Sequence, residues 1–167
     1  NSAKGYDVFG SSIIKILNKY PKWKSIVIGD EPREKHFFEH KNLKNFGYKD
    51  HKFILKQLEK TSISVICSRW NEPLGRASLE ACSRGSVPII TNRGGLPETS
   101  KSAVILNELN INNLTKKIED LIKNKDKLSK LQFENYKNFT FTPSLITSKI
   151  EKIRERLIPY KTIFING

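Results

Sequence analysis

Apolar residues recur along this chain in two alternating rhythms. Short β-branched runs at Ser25–Ile28, Leu43–Phe46, Ile63–Cys67, Val87–Thr91 and Ala103–Leu106 read as strands. Several are apolar on both faces, the pattern of strands inside a helix-covered parallel sheet. Between them, Tyr6–Lys19, Lys52–Lys60, Gly75–Arg84 and Ile111–Lys123 space their apolar residues by three and four, the period of an amphipathic helix. Pro32–Lys41 reads as a short, irregular helix, and Lys125–Asn138 and Pro143–Leu157 as two more helices. Strands alternating with helices predict an α/β fold with a doubly wound, mostly parallel, Rossmann-like sheet of about six strands and helices on both faces. Right-handed crossovers then gather the loops that follow strands on one edge, where ligands bind in such sheets.

The chain ends carry a second pattern. Lys161-Thr-Ile-Phe-Ile-Asn-Gly167 reads as one more buried strand, whereas Asn1-Ser-Ala-Lys-Gly5 reads as a strand-to-helix loop with no strand before it. Joined tail to head, the two make a complete β–loop–α unit. Strand 162–166 is therefore expected in the first-strand slot of a circularly permuted or reordered domain with adjacent termini. A loosely attached C-terminal extension is the alternative.

Length and composition narrow the class. The 167 residues suit one domain, spanning 1–167, and an apolar fraction of 37% argues against disorder. Thirty Lys and Arg against seventeen Asp and Glu give a net charge of +13. That charge admits nucleic acid, an anionic membrane surface or a small anionic ligand as partner. The lysines are scattered through every segment, which favours solvated faces over a nucleic-acid patch. Cys67 closes an apolar run and Cys82 lies in a helical pattern, so both read as small core residues of a reducing compartment. No signal-peptide pattern is visible, and no apolar run approaches the roughly 18–20 residues of a membrane span. The reading is a cytoplasmic chain, with peripheral contact at the inner face of the membrane left open.

Candidate chemistry concentrates in residues 68–98. Glu72 follows a strand and precedes Pro73, which presets a turn. Gly75 can cap the next helix and let its backbone approach a ligand closely. The first N–H groups of that helix would then face the ligand with the positive end of the helix dipole, a ready anion site. Glu80 sits about a turn deeper and can accept the hydroxyls of a ribose; Glu72, nearer the mouth, can accept those of a hexose. Val87–Thr91 and the Gly94-Gly95 turn follow.

Glu72-Pro-Leu-Gly-Arg-Ala-Ser-Leu-Glu80 resembles the E-x7-E motif of retaining glycosyltransferases of family 4, which have the two-domain GT-B architecture. Gly85-Ser-Val-Pro-Ile-Ile-Thr91, Gly94-Gly95-Leu-Pro-Glu98 and Lys4-Gly5-Tyr6-Asp7 are similar to further segments of that family, and Gly29 and Gly47 fall at its two intermediate loops. The similarity spans nearly all of residues 1–125 and covers the C-terminal, donor-binding half of such an enzyme. It implies that Lys4 neutralises a diphosphate, Glu80 holds the ribose, and Glu72 holds the donor sugar as the catalytic carboxylate. It also implies that backbone groups of Leu74, Gly75 and Arg76 reach the sugar and phosphates, and that Gly47 and Tyr48 lie beside the base. Two side chains stay open: Tyr48 either meets the base or packs under its loop, and Arg76 either grips phosphate or points into water. Family members commonly carry an Arg five residues before the Lys of Lys-Gly; through the tail-to-head join, that place holds Asn166.

The implied function is donor binding for transfer of a hexose-type sugar from a UDP- or GDP-sugar to an acceptor hydroxyl, in polysaccharide or glycan biosynthesis. No cofactor or metal is expected. The acceptor domain is expected to be absent from this chain, and the isolated chain is expected to be inactive. The alternatives are a GT-B-type sugar-nucleotide epimerase or phosphorylase domain, a basic nucleic-acid-binding module, and a degenerate docking domain. His36-Phe-Phe-Glu-His40 spells the inverted zinc-protease pattern, but it falls between two closely spaced strands, and His51 makes no cluster with it. No Asp-x-Asp or G-x-x-x-x-G-K pattern occurs.

Overall fold

The computed structural model describes residues 2–29 and 36–157. After a 3-10 turn at Ser2–Lys4 come α1 (Tyr6–Lys19), β1 (Ser25–Val27), β2 (Leu43–Asn45), α2 (His51–Leu58) and β3 (Ile63–Ile66). They are followed by α3 (Arg76–Ser83), β4 (Val87–Thr91), a 3-10 turn at Leu96–Glu98 and β5 (Val104–Leu106). Helices α4 (Ile111–Lys123), α5 (Lys125–Lys137) and α6 (Pro143–Leu157) complete the described chain.

The expected α/β architecture is present: parallel sheets with helices on both sides. Every strand pair is parallel. β1 pairs with β2 from Ser25–Leu43 to Val27–Asn45, and β3, β4 and β5 pair in that order. Five strands are found among the described residues rather than about six. The sixth, strand 162–166, lies outside the described residues, as do Asn1 and Gly167. The helix expected over Pro32–Lys41 is absent from its described part, 36–41, which has no regular structure over 36–40 and a turn at Lys41. Phe38 instead packs edge-on against Tyr6, with ring centroids 5.5 Å apart, and fills the space beside Gly10. Tertiary contact has overridden a weak local helical pattern.

The core centres on β4, buried at all five residues because strands flank it and helices cover it. Ile16 and Leu17 of α1, Leu114 and Leu121 of α4, and Leu106 of β5 are essentially inaccessible. Each such side chain stabilises the fold by roughly 1.5–3 kcal/mol relative to leaving it in water. The α1–α4 contact is pinned by Glu119, which accepts from Tyr20 Oη at 2.6 Å and pairs with Lys19 at 2.6 Å and Lys123 at 3.0 Å. The hydrogen bond from Lys19, then those from Tyr20 and Lys123, hold its carboxyl down to about 2. By contrast, α6 is exposed along its whole length, including Ile146, Ile150 and Ile153. No helix among the described residues is long and apolar enough to cross a membrane.

Helix caps divide the helices into two sets. Asp50, Asn110 and Asn124 cap α2, α4 and α5 by accepting from Phe53 N, Asn113 N and Lys127 N. Helices α1 and α3 start instead at left-handed glycines, Gly5 (φ 70°) and Gly75 (φ 73°), with no side-chain cap. The backbone donors at these two helix starts have no side-chain cap among the described residues.

Candidate donor-binding site

The loop between β3 and α3 is the centre of the site, and two other loops are fastened to it. Ahead of α1, Ala3 O accepts from Arg69 N at 2.8 Å, and Cys67 Sγ donates to Gly5 O at 3.4 Å. A Cβ at Gly5 would stand 2.2 Å from Cys67 O, so only glycine allows this approach. Arg69 also forks onto Asp7, with both N–O distances 2.8 Å, and donates to Ser2 O. The hydrogen bond from Arg69 holds the Asp7 carboxyl below its ordinary range. Burial pushes the Cys67 thiol up to about 11, which suits a structural thiol rather than a nucleophile.

From the other side comes the turn after β4. Gly95 N donates to Glu72 O at 2.7 Å, and Thr91 Oγ1 donates to Ser68 O at 2.6 Å. A Cβ at Gly94 (φ 53°) would lie 2.3 Å from Glu72 O and 2.7 Å from Glu72 N. Glu72 is thus positioned by backbone packed directly behind it. Gly75 is buried against Leu96, whose Cδ2 would be 2.8 Å from an added Cβ, with Thr99 Cγ2 at 3.1 Å. A packing contact therefore adds to its conformational role as the N-cap of α3.

These fastenings bring the charged residues together. Lys4 Nζ donates to Glu72 Oε1, and the Glu72 side chain is only 17% exposed. One helical turn into α3, Glu80 is 20% exposed and faces His51 Nε2 at 3.2 Å and Arg76 Nη2 at 3.7 Å. Arg76 is itself 79% exposed and Leu74 is exposed, so their side chains point outward while their backbone forms the start of α3. Gly47 adopts φ 62° with open space where a Cβ would be, and Gly29 N donates to Gly47 O at 2.8 Å, joining the loops after β1 and β2. Tyr48 is 80% exposed and does not pack under its loop.

The sequence reading placed Lys4, Glu72, Leu74, Gly75, Arg76 and Glu80 on one edge, and the structure brings them together there. It did not find His51, which was considered only against His36 and His40 and which pairs with Glu80. Nor did it find Arg69, whose neighbour in sequence, Trp70, is solvent-exposed. His36 and His40 do not converge: His36 bonds Ser2 Oγ at 3.0 Å, and His40 Nδ1 accepts from Asn42 N at 3.0 Å. Among the described residues, no group of three His, Cys, Asp or Glu side chains could hold a metal ion.

Solved structures share this fold. The C-terminal domain of LpcC, a glycosyl transferase group 1 family protein from Francisella tularensis, superposes with a TM-score of 0.73 at 24% identity, covering 90% of this chain and 81% of that one. Anabaena Alr3699/HepE solved with UDP gives a TM-score of 0.77 at 18% identity, covering 96% of this chain and 46% of that chain. Another structure of the same protein contains UDP-glucose. The Bacillus subtilis protein YtcC, named provisionally as a glycosyltransferase, is 29% identical over 114 residues, covering 60% of this chain and 28% of its own length. The chain thus spans well under half of that curated relative. The model of the family described as glycosyl transferases group 1 matches residues 1–138. The chain belongs to the glycosyl transferases group 1 family.

Proposed function

We propose that this domain binds the nucleotide-sugar donor of a retaining, family 4 glycosyltransferase that passes a hexose-type sugar to an acceptor hydroxyl. One observation carries the reading: two half-buried carboxylates, Glu72 and Glu80, flank an uncapped helix start with Lys4 beside it. Carboxylates accept hydroxyl protons, and the α3 N-terminus with Lys4 offers the positive field a diphosphate needs. In this reading Glu80 holds the ribose, Glu72 holds the sugar near the reacting carbon, and Gly47 and Tyr48 border the base. The developing diphosphate charge is stabilised electrostatically by Lys4 and the helix start, with no metal required.

Known structures support the nucleotide part, since a neighbour of the same fold is solved with UDP and with UDP-glucose. The identity of base, sugar and acceptor, and retention of configuration, are part of the proposal. So is the need for a second, acceptor-binding domain, in line with the chain spanning 46% of Alr3699/HepE.

Calorimetry with UDP, UDP-glucose and a GDP-sugar tests the reading. A charge-assisted hydrogen bond contributes roughly 1.5–3 kcal/mol, so Glu80→Gln should weaken every nucleotide by about tenfold or more. Glu72→Gln should weaken sugar nucleotides while sparing the free diphosphate. Absence of binding at millimolar ligand, or sugar transfer by this chain alone, would contradict the proposal.

A further inference from the structure

The loop after β2 delivers a basic side chain to the ligand edge. This loop, from Gly47 to Asp50, is closed at its base. Phe46, just after β2, meets Phe53 in the first turn of α2 edge-on, with ring centroids 5.2 Å apart. Asp50 Oδ1 accepts from Phe53 N at 2.7 Å and caps the helix at the same point. Gly47 N donates to Asn45 Oδ1 at 2.9 Å, which tightens the other end. His51, the first residue of α2, is thus fixed by its backbone, while its side chain stays 58% exposed.

Helices α2 and α3 are tied to each other at both ends. At the ligand end, His51 Nε2 stands 3.2 Å from Glu80 Oε1. At the far end, Glu59 Oε1 stands 3.4 Å from Arg84 Nη1, each residue at the C-terminal cap of its helix. Exposed pairs of this kind add little to stability, so holding two helices together is a weak account of His51. Arg76 Nη2 also approaches Glu80 Oε1, at 3.7 Å, which is beyond hydrogen-bond reach. A carboxylate carries only acceptors, so Nε2 is the donor in the closer pair. Both basic groups meet the same oxygen, Oε1.

We propose that His51 is a positioning residue for ribose recognition, holding Oε1 of Glu80 so that the carboxylate presents Oε2 to the hydroxyls of a nucleoside diphosphate. It also joins the two halves of the nucleoside subsite. The segment that ends at His51 begins with Gly47 and Tyr48, the proposed border of the base, and Glu80 is the proposed ribose acceptor. The inference rests on the donor-binding reading and adds to it a residue that decides between ribose and deoxyribose. A carboxylate held by one oxygen meets a vicinal diol in a fixed orientation. Released, it turns about its last side-chain bond, where the rotamer wells are broad, and loses alignment with the two hydroxyls.

Calorimetry with UDP, 2′-deoxy-UDP and 3′-deoxy-UDP on the full chain tests it. The unmodified chain should prefer UDP to each deoxy form by roughly tenfold or more, the worth of one hydroxyl on a carboxylate. His51→Ala should cut that preference by about threefold or more, the scale of coupling between groups in contact. His51→Gln, whose amide can donate to Glu80, should keep most of it. Glu59→Gln breaks the far pair between α2 and α3 and should leave the preference unchanged. An undiminished preference in His51→Ala would overturn the inference while the donor-binding reading stands. So would an equal loss in Glu59→Gln, which would assign the effect to helix packing, or an equal loss in His51→Gln. UDP bound by the unmodified chain with no preference would overturn the inference and the ribose role of Glu80 together. Absence of UDP binding by the unmodified chain would overturn the donor-binding reading itself, and this inference with it.

Discussion

Three glycines on the ligand edge share the left-handed conformation but differ in what stands before them, which makes alanine substitution a graded probe of the site. At Gly47 (φ 62°) an added Cβ meets open space. The left-handed region costs an Ala roughly 1–2 kcal/mol, and reduced freedom of the unfolded chain returns about 0.4–1 kcal/mol. Gly47→Ala should therefore lose on the order of 0.5–1 kcal/mol, about 2–3 °C in Tm for a chain of this size. At Gly75 the obstacle is the end of the Leu96 side chain at 2.8 Å, which can give way in part. At Gly94 it is backbone, Glu72 O at 2.3 Å and N at 2.7 Å, held by the bond from Gly95 N. Overpacking adds roughly 1–3 kcal/mol, so Gly94→Ala should lose about 2–4 kcal/mol, some 5–15 °C. It should also displace Glu72 and weaken sugar-nucleotide binding more than Gly47→Ala does. Thermal melts and calorimetry on the three variants give the ranking 47, 75, 94. Equal losses at Gly47 and Gly94 would refute the claim that close backbone approach positions Glu72.

Other expectations follow from individual contacts. Glu119, held to about 2 against an ordinary 4.5, contributes stability that is complete above about pH 4.5 and lost as pH falls toward 2. Acid unfolding of Glu119→Gln should therefore be shallower across that window, and a carboxyl titration by NMR should find Glu119 low. Cys67 and Cys82 are buried, and burial pushes both thiols up to about 11, so neither should react with a thiol reagent at pH 8 faster than the chain unfolds. Tyr48→Ala removes an exposed ring, so Tm should change by no more than about 0.5 kcal/mol would produce, while nucleotide affinity falls; a matching loss in both would assign Tyr48 to packing. Because Lys4 pairs with Glu72, Lys4→Gln and Glu72→Gln should be non-additive for a sugar nucleotide in a double-mutant cycle.

The elements were legible because their patterns are local. Apolar β-branched runs located β1 to β5 within a residue or two, and three-and-four spacing located α1 to α4, with α5 and α6 read as two further helical stretches. Short loops after strands then implied a common edge for Lys4, Glu72 and Glu80. What escaped depends on contacts between distant segments. His51 reaches Glu80 across 29 positions, and Arg69 reaches Asp7 across 62, with no spacing rule to announce either. Gly75 was legible as a cap but not as a packing position, since Leu96 meets it only after β4 has turned back. Residues 36–40 misled for the same reason: Phe38 settles against Tyr6 and Gly10, which local periodicity could not foresee.

The site divides its work between a rigid frame and loosely held charges. The frame is backbone on backbone: Gly5 against Cys67 O, Gly94 against Glu72, and the bond from Gly95 N to Glu72 O. It fixes Glu72, while Glu80 is carried by α3, and both carboxylates are largely shielded from water. Their basic partners are different, because Lys4, His51 and Arg76 are all mostly exposed. Exposed ion pairs contribute roughly 0–1 kcal/mol, so exchanging one for a ligand contact costs little. In the proposed reading, a diphosphate arriving at the start of α3 draws Lys4 from Glu72, and the Glu72 carboxylate turns to hydroxyl donors. Carboxylates held in place ahead of binding, with exposed basic groups beside them, are what the proposed site needs to recognise an anion and a polyol in one ligand. The same division explains why the glycines, rather than the charged residues, should dominate stability at this edge, and the charged residues should dominate affinity.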